Sequence, residues 1–223
     1  PYTVLRQDRA DLSISVLPDL RVEVLAPRGR PRSEIEAKLI ARSAWILRQQ
    51  LRFRDLHPLP VQKRYVAGET FRYLGRQYRL RLIKSDRSAV VLQRPFLVVE
   101  LGRDSDRTRT AAERLVKKWY DDRSRTMLPR YFARALKAHP VLHAQPVRLR
   151  VRRMKSRWGS CTRNGVITLN RELVQASPAC IEYVIMHELC HLREMNHGPT
   201  FERLLSRLMP DWKTRRDRLN QMG

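Results

Sequence analysis

The chain has 223 residues, 42% of them hydrophobic, and a formal net charge of +24 from 46 Lys and Arg against 22 Asp and Glu. This hydrophobic fraction excludes an intrinsically disordered chain, and the length suffices for one large or two small domains with a buried core. No run approaches the roughly 18 consecutive apolar residues of a membrane-spanning helix, and the polar start lacks the apolar stretch of a secretory signal. Three cysteines without a CxxC pair argue against a disulfide framework and a four-cysteine zinc site. We therefore expect a reducing, cytoplasmic compartment.

The excess of basic residues is spread along the chain and forms no basic tail. It predicts attraction to nucleic acid or another polyanion through a basic surface. The alternative is a bias of composition, because the chain has 38 Arg and only 8 Lys. No RNA-binding aromatic pattern and no zinc-finger spacing is visible, so the charge by itself indicates no specific nucleic-acid-reading module.

The first part of the sequence predicts a β-hairpin followed by a helix. Leu12–Leu17 and Arg21–Ala26 both alternate like strands and flank a Pro-Asp turn. Ser33 is a candidate N-cap, and Glu36, three residues later, completes a capping box. Apolar residues then recur at helical spacing to about Leu51, after which prolines end the pattern.

A β-rich stretch and a long helix follow. Four segments have the pattern of strands: Thr70–Leu74, Tyr78–Ile83, Ala89–Leu92 and Phe96–Leu101. Gly102–Asp106 is the best candidate for an internal boundary, because glycine, serine and aspartate cluster there. Residues from Thr110 to about Lys137 predict one long, Arg-rich helix with a bend near Pro129.

The last third of the sequence predicts short strands and then helices. The strand candidates are Val147–Met154, Trp158–Cys161 (a turn or a strand) and Gly165–Leu169. With the earlier elements, they predict the α+β class. We expect two internal lobes, residues 1–105, rich in β-structure with one helix, and residues 106–223.

An HExxH motif spans residues 187–191. On a helix, His187 and His191 lie one turn apart on the same side, so both imidazoles can bind one metal ion. Glu188 then lies close to the metal without ligating it, which is the position of a general base for a metal-bound water. Ser177 as N-cap, followed by proline, supports this helix. The alternative is a buried pair of hydrogen-bonded histidines without a metal.

An open zinc site takes three protein ligands, and His197 is the predicted third. It follows the motif by six residues, and the Asn-His-Gly-Pro turn around it can bring it back to the metal. Glu202, Glu194 and Asp211 are rival ligands, of which Glu202 would complete a site of two histidines and one carboxylate. The ligand spacing matches the metzincin pattern HExxHxxGxxH, but Glu194 stands where that pattern has glycine.

The remaining histidines and the cysteines are expected to be structural. Cys190 lies inside the motif, but it faces away from His191 on the helix. His57, His139 and His143 lie near prolines in segments that resemble loops, and Cys161 and Cys180 are expected to be structural too.

Seven short stretches, in order along the chain, carry a family resemblance. They are Ala44–Ile46, Gly68–Phe71, Tyr73–Arg76, Arg157–Cys161, Gly165–Asn170, Ile181–His191 and Asn196–His197. They resemble the YgjP-like family, which belongs with SprT-like and other HExxH zinc metallopeptidase-like domains. The resemblance covers most of the chain, and the ordered set is more specific than HExxH alone.

This resemblance implies one domain over residues 1–223 with a zincin-like core. In such a core a small sheet covers the HExxH helix and the C-terminus is mostly helical; a β-rich lobe precedes it here. The resemblance also implies that His187, His191 and His197 hold zinc and that Glu188 is catalytic. Substrates are poorly defined across the family, so peptidase activity is an analogy from fold and motif.

The leading functional prediction is a zinc-dependent hydrolase, with a metallopeptidase favoured, in which Glu188 activates a zinc-bound water. One alternative is a zinc-dependent nucleotide or phosphoester hydrolase that holds phosphates through its many arginines. The other is a basic nucleic-acid-associated protein with a structural zinc site. That last alternative predicts a closed tetrahedral metal, whereas the chain supplies three clear ligands and an acid.

Arg157 and Trp158 are candidate substrate-cleft residues. The turn before a strand can form the wall of a cleft, where an extended peptide pairs by β-augmentation and Arg157 stabilises an oxyanion. In the structural alternative, which we favour, Trp158 packs in the core and Gly159 makes a turn.

Overall fold

The computed structural model describes residues 2–17, 20–54, 63–102, 108–142, 146–154 and 157–222, without the side chains of residues 51–54 and 108. Within these ranges the chain has a mixed α+β architecture with three small sheets and six α-helices. It divides into two compact units, an N-terminal unit whose described residues end at 54 and a C-terminal unit that begins at residue 63. None of the described helices combines the length and the hydropathy needed to cross a bilayer.

The N-terminal unit contains a three-stranded sheet and two helices. Its elements are β1 (Tyr2–Gln7), β2 (Ser13–Val16), β3 (Val22–Pro27), α1 (Arg32–Ala41) and α2 (Ser43–Arg54). The central strand β3 pairs parallel to β1 and antiparallel to β2, which confirms the predicted hairpin as β2 and β3. The sequence does not predict β1, because five of its six residues are exposed and give no alternating pattern.

The start of α1 differs from the prediction. Its N-cap is Pro31 and no side chain caps it, so the predicted capping box of Ser33 and Glu36 is wrong. Proline in extended conformation starts the helix earlier, which places Ser33 inside the first turn. Glu36 instead accepts hydrogen bonds from Tyr2 at 3.0 Å and Arg32 at 2.8 Å. The one predicted helix is also divided into α1 and α2.

The first sheet of the C-terminal unit contains the four strands that the sequence predicts. They are β4 (Thr70–Tyr73), β5 (Arg76–Lys84), β6 (Ala89–Gln93) and β7 (Phe96–Leu101). Their order is β4-β5-β7-β6, with β5 and β7 parallel. The predicted long helix is confirmed as α3 (Thr108–Ala138), which contains Pro129. Val116 and Trp119 of α3 pack in one core with Leu80 and Val99 of the sheet.

This shared core places the β-rich stretch and the long helix in one compact unit. Most of the predicted boundary, residues 103–106, lies outside the described residues. The division into lobes 1–105 and 106–223 stays a prediction.

A second, three-stranded sheet packs against the C-terminal helices. The elements are β8 (Arg148–Arg152), β9 (Gly159–Cys161), β10 (Val166–Asn170), α4 (Pro178–Cys190), α5 (Pro199–Leu208) and α6 (Trp212–Asn220). The strand order is β8-β10-β9, with β10 parallel to β8 and antiparallel to β9. These strands confirm the three candidates of the sequence. Ile167 and Leu169 of β10 are fully buried in the core that also contains α4.

The turn between β4 and β5 lies directly against the start of α4. The backbone N–H groups of Leu74 and Gly75 donate to the carbonyls of Val174 and Gln175 at 2.9 and 3.1 Å. Gly75 has φ +78, and a Cβ built on it would lie 2.8 Å from the Cα and Cβ of Ser177. The turn thus requires glycine for its conformation and for this close approach.

Gly75→Ala is predicted to lower the free energy of unfolding by about 2–4 kcal/mol, because it adds a backbone clash to the strain of a positive φ. Gly68→Ala is the matched control, since Gly68 has φ +88 and nothing within 4 Å of a built Cβ. That control should cost only about 1–2 kcal/mol. Urea denaturation measures both, and equal costs would contradict the docking of this turn on Ser177.

Candidate metal centre

The helix α4 forms where the sequence predicts it and buries one complete face. The Ser177 side chain caps it by accepting from the backbone N–H of Cys180 at 3.3 Å, and proline occupies the first turn. Ile181, Ile185 and Leu189 have no exposed surface. Their spacing of four residues defines the core-facing stripe, and the histidines of the motif lie beside it.

A tight turn after α4 brings His197 back to His187 and His191. The Nε2 atoms of His187 and His191 are 3.2 Å apart, those of His191 and His197 3.0 Å, and those of His187 and His197 2.9 Å. Among the described residues, these three side chains form the one group of ligand atoms close enough to hold a metal ion. The predicted chain reversal before α5 is therefore confirmed, whereas the role of the three histidines as ligands stays a prediction.

The protonation of the three imidazoles suits a metal ion. The Nδ1–H of His191 donates to the backbone carbonyl of Glu194 at 2.9 Å, which leaves the Nε2 lone pair facing the other two rings. Burial, together with the neighbouring imidazoles, lowers the pKa of His187 to about 3. Burial and His191 also lower the pKa of His197. Neutral imidazoles with converging lone pairs are the donors that zinc takes in sites with an open position, so the residues present fit this metal.

Phe201 is a residue of this centre that the sequence analysis misses. It lies in α5, is 2% exposed, and its ring centroid is 4.6 to 5.0 Å from those of His187, His191 and His197. It stacks on His191 and meets the other two rings edge to face. The apolar spacing of Phe201 and Leu205 indicates a buried face of α5, but no sequence signal directs that face to the imidazoles.

Glu188 follows His187 in α4 and is buried. Glu188 is 6% exposed, and this burial raises the pKa of its carboxyl group to about 7. The positive charge of Arg157 acts in the opposite direction and lowers this pKa. No described residue hydrogen-bonds this carboxyl group. It therefore lies next to His187 in the chain as a group able to accept or release a proton near neutral pH.

The structure brings Arg157 close to Glu188 and places Trp158 differently. Arg157 is exposed, and its charge reaches the Glu188 carboxyl group. Trp158 is half-buried and packs against the core, as in the structural alternative, but Gly159 begins strand β9 and does not make the predicted turn. Asn170 orders this segment, because its side chain donates to the carbonyls of Met154 and Arg157 at 3.0 and 2.9 Å.

The rival ligands lie outside the histidine group. Glu202 is exposed on α5, and the Glu194 carboxylate accepts from the backbone of Asn196 at 3.3 Å. Asp211 pairs with Arg215 at 2.8 Å. None of the three carboxylates belongs to the convergent group found among the described residues.

The other histidines and the cysteines have no place in this centre. His57 and His143 lie outside the described residues, and His139 is half-buried after the end of α3. All three cysteines are free thiols. Burial raises the pKa of Cys161 to about 11 and that of Cys190 to about 12, so both thiols stay protonated and unreactive at neutral pH.

Comparison with known proteins identifies a family for this arrangement. A sequence model of the family described as "YgjP-like, metallopeptidase domain" matches residues 10–222. No curated protein matches the chain.

Two solved structures resemble part of the chain. The metallopeptidase zymogen of Pyrococcus abyssi abylysin is 25% identical, with 42% of this chain and 91% of that chain covered and a TM-score of 0.37. The metallopeptidase zymogen of Methanocaldococcus jannaschii jannalysin is 20% identical, with 43% and 95% covered and a TM-score of 0.38. Likenesses at these TM-scores carry no inference about fold or function.

Glu188→Gln is predicted to stabilise the metal-free protein increasingly as pH rises. The folded-state pKa of Glu188 is raised from 4.5 to about 7, so its contribution to stability is complete below about 4.5 and is lost as pH rises through about 7. Glutamine does not titrate. The stability of the variant relative to wild type should increase by up to about 3 kcal/mol between about pH 4 and about pH 8. Urea denaturation in EDTA measures this difference, and a difference independent of pH would contradict it.

Proposed function

The chain belongs to the YgjP-like family of metallopeptidase domains, since the family match spans nearly its whole length, and on that premise we propose that it is a zinc peptidase whose general base is Glu188. Family membership makes it a metal-dependent hydrolase, a class that acts here on peptide or protein substrates. The observation that carries the proposal is the convergence of three Nε2 atoms within 3.2 Å of one another, at the C-terminal end of a helix in which Glu188 follows His187. The three-stranded sheet packed on α4 supports a zincin-like core.

His187, His191 and His197 hold the zinc ion in this proposal. Three imidazoles leave one side of a tetrahedral ion open to water and substrate. When bound there, zinc supplies Lewis acidity, which polarises a peptide carbonyl and lowers the pKa of a water molecule in contact with it. The Glu194 carbonyl fixes the orientation of His191, and the ring of Phe201 packs against all three imidazoles.

Glu188 moves the proton. Its carboxylate accepts a proton from the attacking water, and the resulting carboxylic acid returns that proton to the leaving amine. Burial raises the pKa of this carboxyl group in the metal-free protein, so its carboxylate is a stronger base than that of an exposed glutamate. Burial at 6% exposure also limits the access of bulk water to this group.

The edge strand β9 and Arg157 form one side of the proposed substrate cleft. Among the described strands β9 pairs with β10 alone, so its other edge offers backbone groups to an extended peptide. Arg157 supplies a positive charge within reach of Glu188, where charge develops on the peptide carbonyl. Trp158 lies between Arg157 and β9 in the chain, and its side chain packs against the core.

A purely structural zinc site has less support. Such a site is normally closed by a fourth protein ligand, and the histidine group has no further described ligand atom within reach. Phosphoester hydrolysis also has less support, because the family match names a peptidase domain. Zinc affinity and substrate cleavage distinguish both alternatives from a peptidase.

His197→Ala is predicted to lower zinc affinity by more than roughly 10- to 100-fold, which is the typical loss when a residue that hydrogen-bonds a metal ligand is removed. Glu202→Ala is the matched control, and it should leave zinc affinity unchanged because Glu202 is exposed and outside the histidine group. Competition with a chromogenic chelator measures both affinities. Full zinc affinity in His197→Ala would remove His197 from the ligand set and direct attention to Glu202.

Glu188→Gln is predicted to retain zinc and fold while peptide hydrolysis falls by about 100- to 10,000-fold, because glutamine cannot take the proton. Casein, nucleoside triphosphates and single-stranded DNA, each incubated with the zinc form, identify the substrate class. Cleavage of casein alone supports the peptidase. Cleavage of the nucleotides alone, or undiminished turnover by Glu188→Gln, would overturn the proposed function.

The strand β8 supports a separate proposal on partners, that this protein also binds a polyanion such as nucleic acid. Arg148, Arg150 and Arg152 are exposed on one face of this edge strand, while Leu149 and Val151 pack toward the core. Alternate residues of a strand lie about 6.6 Å apart, so three positive charges form a regular row. None of the three pairs with an acidic residue in the described part of the chain.

Replacing Arg148, Arg150 and Arg152 together by glutamine is predicted to weaken binding to single-stranded DNA and to reduce the slope of log affinity against log salt by about 2–3. The control variant replaces three exposed arginines of the N-terminal unit: Arg28, Arg42 and Arg48. Fluorescence anisotropy over a salt series measures both slopes. Equal reductions in the two variants would show an effect of net charge without a defined row, and unchanged binding would contradict the proposal.

A further inference from the structure

Gly159 lies against the side chain of Glu188. A Cβ built on Gly159 would be 2.6 Å from Oε1, 2.8 Å from Cγ and 3.0 Å from Cδ of that glutamate. The first two distances are shorter than real Cβ atoms show, and the third is tighter than most real Cβ contacts. Gly159 does not have a positive φ, unlike Gly68, Gly75 and Gly165, so its backbone conformation does not require glycine. The close approach of the strand to the carboxyl group is what requires it.

Neither the strand nor the helix can move away at low cost, so a side chain at position 159 would have to displace the side chain of Glu188. On one side, Gly159 pairs with Leu169 of β10, and the carbonyl of Trp158 accepts from the backbone N–H of Asn170 at 2.8 Å. Asn170 itself is 5% exposed, and its side chain holds the preceding segment through the Arg157 carbonyl. Hydrogen bonds to β10 and to Asn170 thus hold the strand β9 in place.

On the other side, Glu188 projects from a helix whose core face is completely buried. Its neighbour Leu189 has no exposed surface, and neither does Ile185 one turn earlier. A shift of α4 away from β9 would disturb this packing, which is as dense as a molecular crystal. Since no described residue hydrogen-bonds the Glu188 carboxyl group, contact with the strand is what limits its orientation.

We propose that Gly159 is a positioning residue for Glu188: the missing side chain leaves a slot between β9 and α4 that holds the Glu188 carboxyl group in place. The catalytic meaning of this slot rests on the proposed function, in which Glu188 is the general base. The slot itself is a matter of packing and exists whether or not the protein is a peptidase.

The packing is tested by measuring how Gly159→Ala changes the Tm of the metal-free protein in three backgrounds: wild type, Glu188→Gln and Glu188→Ala. In wild type and in Glu188→Gln, which keeps the size of the side chain, Gly159→Ala should lower the Tm by about 5 °C. In Glu188→Ala, which removes Cγ, Cδ and Oε1, it should change the Tm by less than about 1 °C. The same cost in all three backgrounds would overturn the proposal. If Gly159→Ala fails to fold by itself, folding of Gly159→Ala/Glu188→Ala supports the slot, and failure of that double variant overturns it.

The catalytic consequence is tested by steady-state kinetics on the zinc-loaded protein. Gly159→Ala should lower kcat by about 10- to 100-fold, because a small displacement of a catalytic group is costly. Its KM should stay within about threefold and its zinc content unchanged. In the Glu188→Gln background the same substitution should cause no further loss of kcat, since it acts through the carboxylate. Gly29→Ala is the control, because nothing lies within 4 Å of a built Cβ at that position.

The outcomes separate the two proposals. An unchanged kcat, or a raised KM with kcat unchanged, would overturn the positioning role, the latter because it would assign Gly159 to substrate pairing. Full activity of Glu188→Gln would overturn the proposed function, while the stability measurements in the three backgrounds would still decide whether the slot exists.

Discussion

The buried helix α4 is the element on which the candidate metal centre depends. Its apolar stripe of Ile181, Ile185 and Leu189 lies in the core with β10 and with α5 and α6. Complete burial of each such side chain stabilises the fold by about 1.5–3 kcal/mol relative to exposure. A helix of 13 residues would be only marginally stable alone in water, so packing rather than propensity keeps His187 and His191 one turn apart.

The packed helix α4 also contains two ionisable side chains, His187 and Glu188, whose burial is unfavourable in their charged forms. Burial lowers the pKa of His187 to about 3 and raises that of Glu188 to about 7, which means that both side chains are held away from their preferred charged states. In the metal-free protein the His187 shift costs stability as pH falls below about 6.5, and the Glu188 shift costs stability as pH rises above about 4.5. The apolar stripe of α4 offsets both costs. The shifts also produce neutral imidazoles and a carboxyl group that titrates near neutrality, which suits metal binding and proton transfer.

Local patterns in the sequence predicted most elements around this centre, and they failed where a distant contact decided the outcome. The strands β4 to β10, the long helix α3 and the Ser177 cap of α4 follow from alternation, periodicity and capping chemistry. Ser33 has the correct chemistry for a cap, but the helix begins earlier, after Pro31. The Glu36 carboxylate accepts a hydrogen bond from the Tyr2 hydroxyl instead of capping the helix. The exposed strand β1 gives no periodic signal because only its pairing with β3 makes it a strand.

By itself, the sequence determined that two histidines lie one turn apart on a capped helix, that a third follows within a turn, and that a glutamate stands beside them. These are local properties, set by helical periodicity and by proline and glycine. Only the tertiary structure decided that the three Nε2 atoms meet, that Phe201 of the next helix supports their rings, and that β9 approaches Glu188 closely enough to require Gly159. The physical reason is that these contacts join segments distant in sequence, whose separation is set by the packing of whole elements rather than by any short pattern.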